Sequence, residues 1–153
     1  TNQLAKKNLK KEAQKRGVEP LRIIFAPKIP RTQHLERLAL ADLGLDTFTY
    51  NGHTTTSDCL FAGVPVVTLK GNHFASRVSA SLLSTIGLPE LITHSRQDYK
   101  KLAIRLATHP EELKSIKNKL IEKRLTSSLF NPERFTRNLE KLYEKIWSEH
   151  LKK

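Results

Sequence analysis

Short apolar runs alternate along this chain with longer amphipathic stretches, and that alternation constrains the fold most strongly. The runs are Arg22-Ile23-Ile24-Phe25-Ala26, Leu43 to Phe48, Val64 to Leu69 and Leu91-Ile92-Thr93. Each is rich in β-branched or aromatic residues and bounded by Pro, Gly or polar turns, which reads as a buried strand. Helical patterns separate and flank them: Leu4 to Arg16 ending at Gly17, Thr32 as N-cap to about Asp42, Thr54 to Ala62 closed by Gly63, and Phe74 to Ile86 closed by Gly87. Three more follow: Gln97–Ala107 after Ser95, Glu111–Arg124 from Pro110, and Pro132–His150 after Asn131. Strands joined through helices imply crossovers and a parallel sheet covered on both faces. The expected fold class is therefore α/β, doubly wound, with a helical C-terminal extension. The 153 residues amount to a single domain. The chain starts at Thr1 and holds no methionine, so we expect an excerpt of a longer protein.

The net charge of +12 first suggests a nucleic-acid binder. Its distribution argues otherwise. Residues 1–17 carry six Lys or Arg against one acid, residues 94–153 fifteen against eight, and residues 18–93 six against six. The excess sits on two helical flanks, where lysines ordinarily form a solvated face. No recognition motif for DNA or RNA accompanies it. No apolar run is long enough to span a membrane, and no charged-then-apolar leader pattern is present. The single cysteine, Cys59, excludes an intramolecular disulfide, and a reducing, cytoplasmic setting is expected.

In open α/β sheets, ligands bind where strands run into helices. That rule selects Pro27–Gln33, Thr49–Thr56 and Lys70–Ala75. The middle loop is the sharpest feature: Asn51-Gly52-His53-Thr54-Thr55-Thr56-Ser57-Asp58 leaves a strand, turns on glycine and opens a helix. The free amides of a helix's first turn and its dipole favour an anion. Three threonines add hydroxyl donors in a place where helix propensity alone would not choose them. An ordinary N-cap with spare threonines is the competing reading. His53 stands at the mouth of this helix as a phosphate contact or a polar turn residue. Asp58, one turn in, could cap locally or accept from a sugar hydroxyl. In the first loop Arg31, His34 and Arg37 recur at spacings of three, on one helical face suited to an anionic aromatic ligand. An ordinary basic surface has the same spacing.

No GxxxxGK[ST], GxGxxG, DxD or GxSxG motif occurs. Cys59 lies beside Leu60 and Phe61 and reads as a buried structural thiol. Ser76 and Ser79–Ser81 read as close helix packing.

The segments Arg22-Ile-Ile-Phe-Ala-Pro, His34, Leu45-Asp46-Thr47-Phe48, Asn51-Gly-His-Thr-Thr, Asp58, Gly63-Val-Pro-Val-Val-Thr and Ala75-Ser-Arg-Val occur here in that order. Together they resemble the C-terminal catalytic lobe of O-GlcNAc transferases, including the SPINDLY-type and bacterial enzymes that follow tetratricopeptide (TPR) repeats. The resemblance covers about residues 20–150. It implies a Rossmann-like C-terminal lobe of a GT-B glycosyltransferase: inverting, metal-independent, without a cofactor, and taking UDP-GlcNAc to a Ser or Thr hydroxyl of a protein. By the same resemblance, the backbone of Ile29 meets the uracil and Arg31 contacts the nucleoside. His34 stacks on the base with Arg37 beside it. His53, Thr54 and Thr55 hold the diphosphate, and Asp58 the ribose. Arg31 stands where the family has a lysine.

The family's glutamine, its phosphate-binding lysine and its N-terminal lobe would lie upstream of Thr1. Residues 1–153 are therefore expected to form a single partial nucleotide-sugar-binding lobe that transfers no sugar alone, with its catalytic groups elsewhere. The expected partners are the nucleotide sugar, a protein acceptor and the N-terminal lobe of the same chain, with no membrane and no nucleic acid. Two alternatives stand beside this reading: a related lobe using another donor such as GDP-fucose, and a non-enzymatic basic binding module.

Overall fold

A computed structural model describes residues 2–152, which divide into two compact units, residues 2–30 and 31–152. In the first unit, helix α1 spans Gln3–Lys15. Asn2 caps it, its Oδ1 accepting from the amides of Leu4 at 2.9 Å and Ala5 at 3.3 Å. The expected strand at Arg22–Ala26 does not form. Pro20–Arg22 is a single 3₁₀ turn, residues 23–30 lie outside any regular element, and Ile24 is 87% exposed. A β-branched run satisfies its backbone only beside a neighbouring strand, and no strand pairs with this one among the described residues.

The second unit holds a parallel sheet in the order β1-β2-β3, with β1 at Gly44–Leu45, β2 at Val66–Leu69 and β3 at Ile92–Thr93. The register pairs Gly44 with Val66 and Thr68 with Ile92. Helix α3, Thr54–Phe61, connects β1 to β2, and α4, Val78–Ile86, connects β2 to β3. Helices α5 (Arg96–Thr108), α6 (Pro110–Thr126) and α7 (Pro132–His150) complete the unit. Ser95 and Asn131 cap α5 and α7 as their sequence positions predict. Gly63 and Gly87 follow α3 and α4 at φ of +85° and +81°, where a side chain would be strained.

Several expected bounds shift for local reasons. Thr32 is the second residue of α2 (Arg31–Leu38) rather than its cap. Pro30, its φ already near the helical value, lets the helix begin two residues earlier. Instead of continuing to Asp42, α2 tightens into i→i+3 bonds from Leu40 to Arg37 and Ala41 to Leu38. The helix expected from Phe74 divides into a 3₁₀ turn, Phe74–Ser76, and α4. The break follows from Ser76, whose hydroxyl donates to the His73 carbonyl while its own carbonyl accepts from Gly71.

The core forms where β2 is enclosed by α3, α4 and α5. Leu60, Val67, Leu83, Leu88, Leu91, Leu106 and Leu120 are fully buried. Val67 and Thr68 are buried to the last atom, as the continuous apolar character of a covered parallel strand requires. Leu83→Ala is expected to lower stability by about 3 kcal/mol, from lost transfer energy and the cavity left behind. Chemical denaturation monitored by circular dichroism checks this.

Candidate functional site

The buried carboxylate of Asp46 organises the loop between β1 and α3. Its Oδ1 accepts from the amides of Thr47 at 2.9 Å and Gly52 at 2.7 Å, and its Oδ2 from the Thr68 hydroxyl at 2.6 Å. The Asp46 carbonyl accepts from the Tyr99 hydroxyl at 2.9 Å. One residue thus joins β1, β2, α5 and the turn before α3. From the other side, the Ser79 hydroxyl on α4 donates to the Gly52 carbonyl at 2.8 Å and lies 2.8 Å from Thr56 Oγ1. A Cβ at Gly52 would stand 2.5 Å from Thr56 Oγ1, so only glycine fits this crossing.

These contacts aim the first turn of α3. Among the described residues, the amides of Thr54, Thr55 and Thr56 meet no acceptor, and the first amide bond into the helix is Ser57 to His53 at 3.1 Å. Thr54 and Thr55 are exposed, whereas Thr56 is buried. His53 precedes the helix without capping it. Its ring stacks on Tyr50 at 4.9 Å and meets the edge of Phe74 at 5.8 Å. Its Nε2 is shielded and has no hydrogen-bond partner. An unmet buried polar atom is costly, so this nitrogen, beside three free amides, marks a place where a polar ligand would be satisfied. The Asn51 Oδ1 is likewise buried and unpartnered, although its Nδ2 donates to the Thr47 carbonyl at 3.0 Å.

The other predicted residues divide into pairs. Arg31 Nη2 donates to Asp58 Oδ1 at 3.1 Å, linking the start of α2 to the second turn of α3. Asp58 is buried, while the Arg31 side chain is largely exposed. Arg37 Nη2 lies 3.1 Å from His34 Nδ1. Because a guanidinium only donates, a hydrogen bond there has the ring nitrogen as acceptor. The even spacing of Arg31, His34 and Arg37 therefore does not yield one undivided cationic face. Ile29 belongs to the first unit, in the stretch without regular structure.

Cys59 is half-buried, and its thiol is pushed up by burial and by the charges of Asp58 and Asp46, consistent with an inert structural role. Burial, and next the Asp46 charge, push the Tyr99 hydroxyl up to about 12. Among the described residues, no three His, Cys, Asp or Glu side chains gather to hold a metal ion, and no helix is long and apolar enough to cross a membrane.

The comparisons with known proteins identify the family. The model of glycosyl transferase family 41 matches residues 2–139. The chain belongs to that family. Its relatives include a Caenorhabditis elegans UDP-N-acetylglucosamine–peptide N-acetylglucosaminyltransferase, 36% identical over 94% of this chain. The Arabidopsis thaliana protein SEC, described as a "Probable" enzyme of the same name, is 41% identical over 88%. The chain spans only 12% and 14% of the lengths of those two proteins. A mutant of Thermobaculum terrenum O-GlcNAc transferase superposes with a TM-score of 0.88 and 31% identity, over 97% of this chain and 28% of that one. Within family 41, the parallel sheet and its helices are thus a Rossmann-like lobe of the GT-B fold.

Sequence reasoning assigned no role to Asp46, Tyr50, Phe74 or Tyr99, and read Ser79 as a packing residue. Asp46 was the one that could have been found, as an acid at the end of a strand facing a glycine turn. Asp46→Ala should cost about 3 kcal/mol, because Thr47, Gly52 and Thr68 each lose an acceptor in a buried setting; urea unfolding measures it. Tyr99 supplies a pH test. Its folded-state value lies above its unfolded one, so it favours the folded chain below about pH 10, and that contribution is lost as pH rises toward 12. Tyr99→Phe should flatten this part of the stability profile relative to the unmodified chain.

Proposed function

We propose that this chain is the donor-binding lobe of a protein O-GlcNAc transferase, taking UDP-GlcNAc for transfer to a Ser or Thr hydroxyl of a protein acceptor. The observation that supports it most is the unpaired Nε2 of His53 beside the free amides of Thr54, Thr55 and Thr56. A diphosphate meets both needs. It accepts from the amides and threonine hydroxyls at the positive end of the α3 dipole, and the imidazole adds a further donor when its Nε2 carries the proton. Asp58 offers its second carboxylate oxygen to a ribose hydroxyl while Arg31 holds the first. His34, fixed by Arg37, presents its ring to the base.

In this reading the chain's own dipoles stabilise the charge that develops on the UDP leaving group, without a metal. The groups that act on the acceptor hydroxyl belong to the rest of the polypeptide. The neutral central region, residues 18–93, carries the site, whereas the basic flanks lie outside it, so nucleic acid is not the proposed partner.

Calorimetry on the full-length protein tests the division of roles. His53→Ala and Thr54→Val should each weaken UDP binding about tenfold to a hundredfold, the value of a hydrogen bond to a charged group, and leave uridine nearly unchanged. His34→Ala should weaken UDP and uridine alike. Equal losses of both ligands in every variant would count against the assignment. Thermal melting without ligand separates binding from capping, since Thr54 opens a helix and its replacement can cost ~1 kcal/mol of stability. A chelator should leave UDP affinity unchanged.

A further inference from the structure

A cavity of about 870 Å³ opens beside the candidate donor site, at the ends of β2 and β3, and the donor assignment does not use it. Phe74 belongs to both places: it lines the cavity, and its ring meets the His53 ring edge-on at 5.8 Å. Lys70 enters the cavity from the end of β2, His94 from the end of β3, and Arg77 from the turn leading into α4. No Asp or Glu lines it. The nearest acid in sequence, Glu90, is engaged by Lys119 at 2.5 Å. Elsewhere in this unit, arginines and lysines such as Arg31, Arg105 and Lys117 each hold a carboxylate. Among the described residues Lys70 and Arg77 form no ion pair. Phe74 is 79% exposed, and Leu82 and Ile92 add apolar lining.

We infer that this groove receives the acceptor polypeptide, and that it selects segments carrying Asp or Glu near the modified hydroxyl. The inference rests on the donor-lobe reading, because Phe74 places the groove next to the diphosphate end of that site. Charge complementarity identifies the occupant. Two cations, Lys70 and Arg77, with no carboxylate lining the groove are neutralised by an acidic chain, and the His94 ring adds a hydrogen-bonding group beside them. The apolar lining suits the uncharged side chains of an extended segment.

The test uses the full-length protein and two fluorescein-labelled peptides, one with a serine flanked by three glutamates and the other with glutamines instead. Anisotropy is followed with and without saturating UDP. The acidic peptide should bind about tenfold more tightly at low salt, and the preference should fade as salt screens it. The double variant Lys70→Gln, His94→Gln should bring the two peptides within about twofold, while UDP affinity by calorimetry and the melting temperature stay unchanged. Equal affinity of the unmodified protein for both peptides overturns the inference, and is the outcome expected if another part of the same polypeptide fills the groove. A preference that survives the double variant also overturns it, since acid recognition then lies elsewhere. Loss of UDP binding in the unmodified protein sinks the donor-lobe reading, and is seen apart from the peptide result.

Discussion

The loop between β1 and α3 depends on one buried carboxylate. Asp46 accepts two amide bonds and one hydroxyl bond through its side chain, and a fourth from Tyr99 through its carbonyl. A charge so enclosed is stable only because its lone pairs are filled, and the filling groups come from its own loop and from β2. Thr68 ties it to the central strand, Tyr99 to α5, and Gly52 to the turn. The polar centre and the hydrophobic core are thus consecutive layers along β2: Val67 packs into the core, and Thr68 beside it reaches back to the carboxylate.

This arrangement explains how a poor helix former can begin α3. Three threonines at a helix start bring little intrinsic propensity. Thr56 is drawn inward to Ser79, and Leu60 is buried one turn further along the same side, so packing compensates. Thr54 and Thr55 remain outside with their amides unmet. The helix end is thus held by packing on one side while its free amides and dipole leave it electropositive on the other. The Tyr50 and Phe74 rings fix the His53 imidazole at the same place. The Arg31–Asp58 pair adds a link between α2 and α3. With its arginine largely exposed, that pair contributes position more than stability.

Local chemistry made most of this fold legible. Capping residues before α5 and α7, prolines at the starts of α6 and α7, and glycines after α3 and α4 act within a few residues of themselves, so their effect reads directly from the chain. The alternation of short apolar runs with helices specified a parallel α/β sheet for the same reason. The Arg22–Ala26 run shows the limit. Its composition suits a strand, but a strand needs a hydrogen-bonded neighbour, and no local pattern reports whether one lies alongside.

Where α3 begins was legible in the chain, because Asn51-Gly52-His53-Thr54-Thr55 encodes turn, glycine and helix start within five consecutive residues. The sequence also carried the family resemblance. Only the tertiary structure decided what holds that segment in place. Tyr99 reaches Asp46 across 53 residues and Ser79 reaches Gly52 across 27. Hydrogen bonds of such range depend on how strands and helices pack together, and no spacing rule reports them. The same holds for the groove beside Phe74. Lys70 and His94 are unremarkable along the chain, and line one groove with Arg77 only because parallel strands bring their C-terminal ends to the same edge.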